Sequence, residues 1–266
     1  MCYDISFDTS NIRSLEDYFP DLHFDDQIVI NYELTAHLQS HGFGNHPIIY
    51  INRDDLQPHC RLMEWSVIPH YTKDEDKFKI ARLKMANARS ERIIGDKTSY
   101  WYKIRNRRCL IPVTGAYEHR GVAGWKKKVP YHISVKGERI FFMPGLYAVV
   151  ELPDKSTGEM IKRYTWTLVT REPICNIAMK NIHNSKEDGQ FRMPLFMPLD
   201  RAKDWLTEGL SDPEIQERMN YELPEEAMEY FPVDTIRTTK PRADGKRKND
   251  PFEWANLPAL GEMNPD

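Results

Sequence analysis

No stretch of this chain approaches the roughly 18 consecutive apolar residues that a membrane helix requires, so no spanning segment is expected. The opening Met1-Cys2-Tyr3-Asp4 lacks the basic segment and apolar run of a secretory signal. Cysteine is scarce. The four, at positions 2, 60, 109 and 175, are too few and too scattered for a disulfide framework, which points to a reducing cytoplasm. None stands in a Cys-x-x-Cys pair and the nine His show no ligand spacing, so neither a metal nor an organic cofactor is expected. An excess of positive charge is missing too. The 37 Lys+Arg against 40 Asp+Glu leave −3, so any contact with nucleic acid must rest on a local patch.

What is present reads as one domain over about residues 1–235, without internal repeats or a long Gly/Ser linker. Short apolar runs recur between Gly, Pro and Asn, at 48–51, 65–68, 131–135 and 140–143. Tyr164 to Thr170 alternates well and carries aromatic and β-branched residues, the clearest strand signal in the chain. Helices are predicted from Ser10 or Ser14 to Phe19, near Phe78–Met85, from an N-capping Asp200 to Leu206, and from Asp212-Pro213. The pattern predicts an α+β fold, a β-rich single domain with curved or barrel-like antiparallel sheets and peripheral helices. Residues 236–266 are polar and include a basic run from Lys240 to Lys248, read as a solvated tail. Cys60, Cys109 and Cys175 are expected to be small buried hydrophobes.

Cys2 stands apart. An initiator Met before a small residue is usually removed, which would leave an N-terminal Cys with amine and thiol on one residue. Such an amine has a reference pKa near 7.7–8.0 and condenses with aldehydes at neutral pH. The thiol can then close a five-membered thiazolidine ring. Taken alone, a Cys at position 2 is incidental in most proteins. Four other segments add weight: Met85-Ala-Asn-Ala-Arg-Ser-Glu91, Arg108 to Glu118 (RCLIPVTGAYE), Asn181-Ile-His-Asn184 with Arg192-Met-Pro194, and Leu62 to Pro69 (LMEWSVIP). A carboxylate such as Glu118 usually just faces solvent; in a pocket, burial would raise its pKa and equip it for acid/base work. A lone His such as His183 is more often a structural hydrogen-bonding group than a catalyst.

In content and in order these elements resemble the SRAP family (SOS-response-associated peptidase domain), over most of residues 2 to about 235. The resemblance implies a β-rich fold and a protein that cross-links itself to abasic sites in single-stranded DNA. Lyase and autopeptidase activities are among what it implies. It makes Cys2 the nucleophile, Asn87 the residue that orients it, Glu118 the proton shuttle, and His183 the group that assists at the sugar hydroxyl. Arg89 matches a phosphate-contacting Arg, and Trp65 lies where the family sets aromatics against DNA. Lys97 and Thr170 join Arg89 and Trp65 as DNA-binding candidates, with Arg105, Arg107 and Arg108 as further sources of charge. A monomer is expected, with no membrane partner, cytoplasmic and associated with the nucleoid when acting on DNA.

Three departures from the family pattern stand out. Tyr3-Asp4 replaces the usual Gly-Arg after Cys2, and His119 stands where a Trp is common. Eight residues, Asn184 to Phe191, separate His183 from Arg192, a longer spacing that would displace His183 if the loop carried it away. Two other readings remain open from the residues alone. An N-terminal Cys with Asn and His also suits a peptidase or amidohydrolase that uses the α-amine as base. A non-covalent single-stranded DNA-binding module, with Cys2 incidental, is the third.

Overall fold

The computed structural model describes residues 2–8, 12–25, 35–186 and 188–265. In chain order its strands and helices are β1 (Asp4–Phe7), β2 (His23–Phe24), β3 (Thr35–Gln39), β4 (Asn45–Ile51), β5 (Pro58–Trp65), α1 (Glu75–Arg82), β6 (Asn87–Arg89), α2 (Ser90–Ile93), α3 (Tyr100–Lys103) and β7 (Arg108–Val113). They continue with β8 (Gly115–Arg120), β9 (Val129–Val135), β10 (Phe141–Pro153), β11 (Met160–Arg171), α4 (Ile177–Ile182), β12 (Met193–Pro194), α5 (Leu199–Leu206), α6 (Asp212–Met219) and β13 (Met228–Pro232).

β11, the strand with the clearest sequence signal, is the hub. It pairs antiparallel with β10, β10 with β7, β7 with β4 and β4 with β5. β5 then returns to β11 through Thr165↔Glu64 and Trp166↔Trp65, which closes a five-stranded barrel. That last seam is parallel, and it has to be. Around a ring with an odd number of strands, direction cannot alternate at every step, so at least one neighbouring pair must run the same way. Beyond the seam β6 takes over the free edge of β11, at Leu168↔Asn87 and Thr170↔Arg89.

A second sheet runs β13-β9-β8-β1-β3, with β1 between β3 and β8. The largest core cluster holds residues of both sheets, Cys2, Ile5, Ala116 and Ile133 with Ile48, Met63, Ile111 and Trp166, so barrel and sheet share one interior. The β-rich α+β architecture is as expected, and its barrel is closed rather than merely curved. No helix among the described residues is long and apolar enough to cross a membrane.

Several local expectations are corrected. The apolar run at 65–68 is split: β5 ends at Trp65, where Ser66 takes a positive φ of 71°. The first helix is a 3-10 turn over Ile12–Asp17, and Ser10 lies outside the described residues. α5 begins after Pro198, which places Asp200 inside the first turn rather than at the cap. Cys60 and Cys109 are buried, but Cys175 is exposed. Its turn is pinned at the surface by Glu222, whose carboxylate accepts the backbone N–H groups of Ile174, Cys175 and Asn176.

The residues read as a solvated tail are packed on the body. Trp254, Leu257 and Leu260 lie against the main core cluster, and the Trp254 indole donates to the Val233 carbonyl at 2.9 Å. Arg242 is buried, clasped by Asp244 and by the carbonyls of Arg247, Asp250 and Pro251. Apolar residues spaced among the polar ones anchor this segment, and composition averaged over thirty residues conceals them.

Candidate active site

Cys2 enters the fold at the head of β1. The register Asp4↔Tyr117, continued back two residues, sets Tyr3 and Cys2 alongside Glu118 and His119 on β8. The Cys2 side chain is fully buried, and its thiol points to the Asp4 carbonyl at 3.6 Å. Burial, reinforced by the charge of Glu118, pushes the thiol well above its ordinary pKa, so the sulfur keeps its proton at neutral pH.

Asn87 fixes the backbone of the same residue, donating from its amide to the Cys2 carbonyl at 2.9 Å. Its own position follows from Trp65, whose indole N–H donates to the Ala86 carbonyl at 3.1 Å, one residue before Asn87. The amide oxygen of Asn87 is buried without a hydrogen-bond partner among the described residues.

Glu118 and His183 face one another. His183 follows α4, a helix capped by Asn176, and its Nδ1 lies 2.7 Å from Glu118 Oε2 with both side chains buried. The eight-residue insertion therefore leaves His183 in place. Burial alone pushes the Glu118 carboxyl up, but the charge and hydrogen bond of His183 outweigh it and hold the group below the usual carboxylate range. A burial-raised carboxyl was expected, and the partner reverses the sign. Glu118 Oε1 has no partner among the described residues.

Glu118 and His183 border a cavity of about 500 Å³, lined also by Tyr3, His119, Lys127, Lys128 and Arg237 among others, whereas Cys2 and Asn87 are buried behind its lining. Its cations were missed in the sequence, although the run Lys126-Lys127-Lys128 was a visible signal. Arg237 gave none, because its place depends on Asp4. That buried carboxylate accepts from Arg237 at 2.6 Å and faces His37 at 2.7 Å. Burial pushes the Asp4 carboxyl up, and His37 and Arg237 bring it below its usual range. An acid at position 4 is thus part of a charge cluster that joins the chain's start to residue 237.

The other candidates do not line this cavity. Trp65 is fully buried and stacks on Trp166 with ring centroids 4.6 Å apart, so neither face of its ring is open to a base. Its replacement is expected to act on stability. Trp65→Ala should cost about 3–5 kcal/mol of unfolding free energy, read by urea titration, through lost packing and a freed Ala86 carbonyl. Thr170 is fully buried too, with its carbonyl and hydroxyl accepting from Arg192 at 3.0 and 3.3 Å. Arg192 of the Arg-Met-Pro segment reaches Glu91 as well, at 2.8 Å, and so ties α2 to β11. Arg89 pairs at 2.7 Å with Asp188, a residue of the insertion. Lys97 is exposed, with its charge toward Asp212. Arg105 is bound to the same Asp212, and Arg108 is buried against carbonyls of Trp205 and Thr207.

The exposed aromatic surface lies a few residues past Trp65. Tyr71 is 58% exposed, with ring centroids 5.4 Å from His70 and 5.7 Å from Tyr100. The sequence held the signal, Pro69-His70-Tyr71 directly after the Trp65 strand, but nothing in it says which aromatic is inside.

Comparison with known proteins bears on this arrangement. The family model described as SOS response associated peptidase (SRAP) matches residues 24–237. The chain belongs to the SRAP family. The abasic site processing protein YoaM of Bacillus subtilis is 31% identical over 189 residues, which is 71% of this chain and 74% of that protein. The abasic site processing protein HMCES of Gallus gallus is 25% identical and matches 65% of this chain and 52% of that one. Among solved structures, a protein from Bacteroides thetaiotaomicron aligns with a TM-score of 0.73 at 28% identity, covering 94% of this chain and 97% of its own. A Bordetella bronchiseptica protein at 18% identity, with a TM-score of 0.68, shares the fold. Among the described residues of this SRAP protein no group of His, Cys, Asp and Glu is arranged to hold a metal ion.

Proposed function

We propose that this SRAP protein handles abasic sites in DNA by capturing them covalently, in single strands, through Cys2 once Met1 has been removed. Met1 itself lies outside the described residues. The observation that carries the reading is the buried grouping of the Cys2 thiol, the Asn87 amide on its carbonyl, and a Glu118 carboxylate with one free oxygen beside His183. The relatives named abasic site processing proteins support it.

An abasic sugar is mostly a closed hemiacetal, so a base must take its hydroxyl proton as the ring opens to the aldehyde. The free oxygen of Glu118 suits that step, with His183 holding the carboxyl oriented. The α-amine of Cys2 then adds to the aldehyde carbon, and loss of one water gives an imine. Last, the sulfur adds to the imine carbon while its proton goes to the imine nitrogen, which completes the thiazolidine. A thiol that stays protonated until the imine forms fits this order, because the amine attacks first. The same protonated, buried thiol disfavours a thiolate peptidase, whose nucleophile needs a lowered pKa.

Binding divides between two surfaces. Lys127 and Lys128 supply positive charge at the cavity for the flanking phosphates, while Arg237 is held by Asp4. The His70, Tyr71 and Tyr100 rings offer a stacking platform for unpaired bases. Tyr71→Ala is expected to weaken binding of an intact single-stranded oligonucleotide by about 1–3 kcal/mol, read by fluorescence anisotropy, and to leave the melting temperature in place.

The deciding experiment incubates the full chain with single-stranded DNA with and without an abasic site and runs a denaturing gel after heating. A heat-stable adduct only with abasic DNA supports the proposal. Equal, salt-sensitive binding of both DNAs without an adduct would leave a non-covalent binding module. Turnover of amide substrates with no preference for abasic DNA would point to a peptidase.

A further inference from the structure

Glu118 and His183 come from two separate segments, and the last residues of the chain grip both. On one side, Arg120 ends β8 just past Glu118, and Gly121 follows it. The Arg120 guanidinium is fully buried, and it donates to the carbonyls of Pro258, Ala259 and Glu262 at 2.9, 2.7 and 2.7 Å. The Ala123 N–H donates to the Met263 carbonyl at 2.7 Å. Gly121 lies so close that a Cβ there would come within 3.1 Å of Pro265.

On the other side are Asn181, in α4, and Asn184, one residue past His183. The Asn184 amide clamps Gly121 at both ends, accepting from its N–H and donating to its carbonyl, each at 2.8 Å. It also donates to the Asn264 side chain at 3.0 Å, while Asn264 donates to Asn181 at 3.0 Å. Asn264 therefore bridges two side chains that flank His183, and its neighbours Met263 and Pro265 touch the segment that follows Glu118. These residues lie past the stretch of 24–237 that the family model matches.

We propose that residues 258–265 are a positioning element of the active site, which holds the end of β8 and the C-terminal end of α4 together and so keeps Glu118 against His183. Assigning that pair to acid/base work rests on the capture reading; the mechanical role does not. A buried guanidinium whose two terminal nitrogens are met by the carbonyls of this segment resists release, because separation would leave those donors without partners. The amide contacts around Asn184 add direction, since a side-chain amide has fixed donor and acceptor ends. Small displacements at a proton-transfer pair carry large rate costs.

The test uses two full-length variants: Asn264→Ala, which removes the bridge, and Arg120→Lys, which keeps the charge but cannot reach three carbonyls together. The first readout is the titration of the Glu118 carboxyl carbon by NMR with labelled glutamate, assigned by its loss in Glu118→Gln. His183 holds this carboxyl down against burial, so loosening the pair moves its midpoint to higher pH. With it, the acid limb of the capture rate should move up and the rate at neutral pH should fall about 3- to 10-fold, with intact-DNA affinity unchanged. Arg120→Lys should show the larger change. A wild-type titration and capture rate in both variants, each confirmed folded by its melting curve, would overturn the proposal. If wild type forms no adduct and the Glu118 midpoint still rises in the variants, the capture reading fails and the positioning role stands.

Discussion

Cys2→Ser is expected to abolish the heat-stable adduct with abasic DNA while leaving affinity for intact single strands unchanged. The substitution keeps the α-amine, so an aldehyde can still condense to an imine. What it removes is the second nucleophile. A thiol held in the same residue adds to the imine at an effective concentration that no free thiol reaches, and the loss of stable product should be at least about 100-fold. The imine left behind reverses in water. It also acidifies the adjacent sugar carbon, which opens a route to elimination of the 3′ phosphate and strand cleavage. Ring closure prevents that, because the carbon in a thiazolidine is no longer part of a C=N bond. Two gels separate these outcomes: heating without reductant should show no adduct for Cys2→Ser, and borohydride should trap one. An undiminished heat-stable band would exclude Cys2 as the second point of attachment. Fold stability should change little, because Ser occupies nearly the same volume, although a buried hydroxyl replaces a thiol.

Glu118→Gln should slow capture by about 10²–10³, with intact-DNA affinity changed less than about 2-fold, since it removes a proton acceptor and keeps the shape. Glutamine is the informative choice. It can still accept from a His183 N–H, whereas alanine would leave that imidazole facing an apolar gap. The pH dependence gives a sharper check. Glu118 is held below the ordinary carboxylate range, so it is ionised through neutral pH and accepts its proton only on the acid side. Wild-type capture should therefore fall as pH drops through that lowered value, and the variant should lose this limb. Stability follows the same sign. A depressed carboxyl stabilises the fold above its unfolded pKa, and the contribution is lost as pH falls through the folded one. Asp4, whose carboxyl is also held down, by His37 and Arg237, contributes with the same sign, so both should add to the loss of stability on the acid side. Equal pH–rate profiles for wild type and Glu118→Gln would remove Glu118 from the proton path.

Alternation and β-branched content make β11 legible, and the order of short motifs marks Cys2, Asn87, Glu118 and His183 as candidates. Side-chain chemistry at fixed positions in the chain is a local property, and a linear string records it. Three matters belonged to tertiary structure alone. Whether Trp65 or Tyr71 faces outward depends on where β5 ends and on Trp166 from a distant strand, because burial is a property of the space around a ring. The sign of the Glu118 shift depends on which group stands 2.7 Å away across sixty-five residues of chain. The place of residues 236–265 was hidden for a third reason. Their polar composition describes what water would tolerate, while their position is set by a few apolar anchors and by the carbonyls that satisfy Arg120. The residue types of the candidate site were thus legible in the sequence by itself; their charge states and their supports were decided by folding, since electrostatic and hydrogen-bond energies depend on distances between segments that no local pattern encodes.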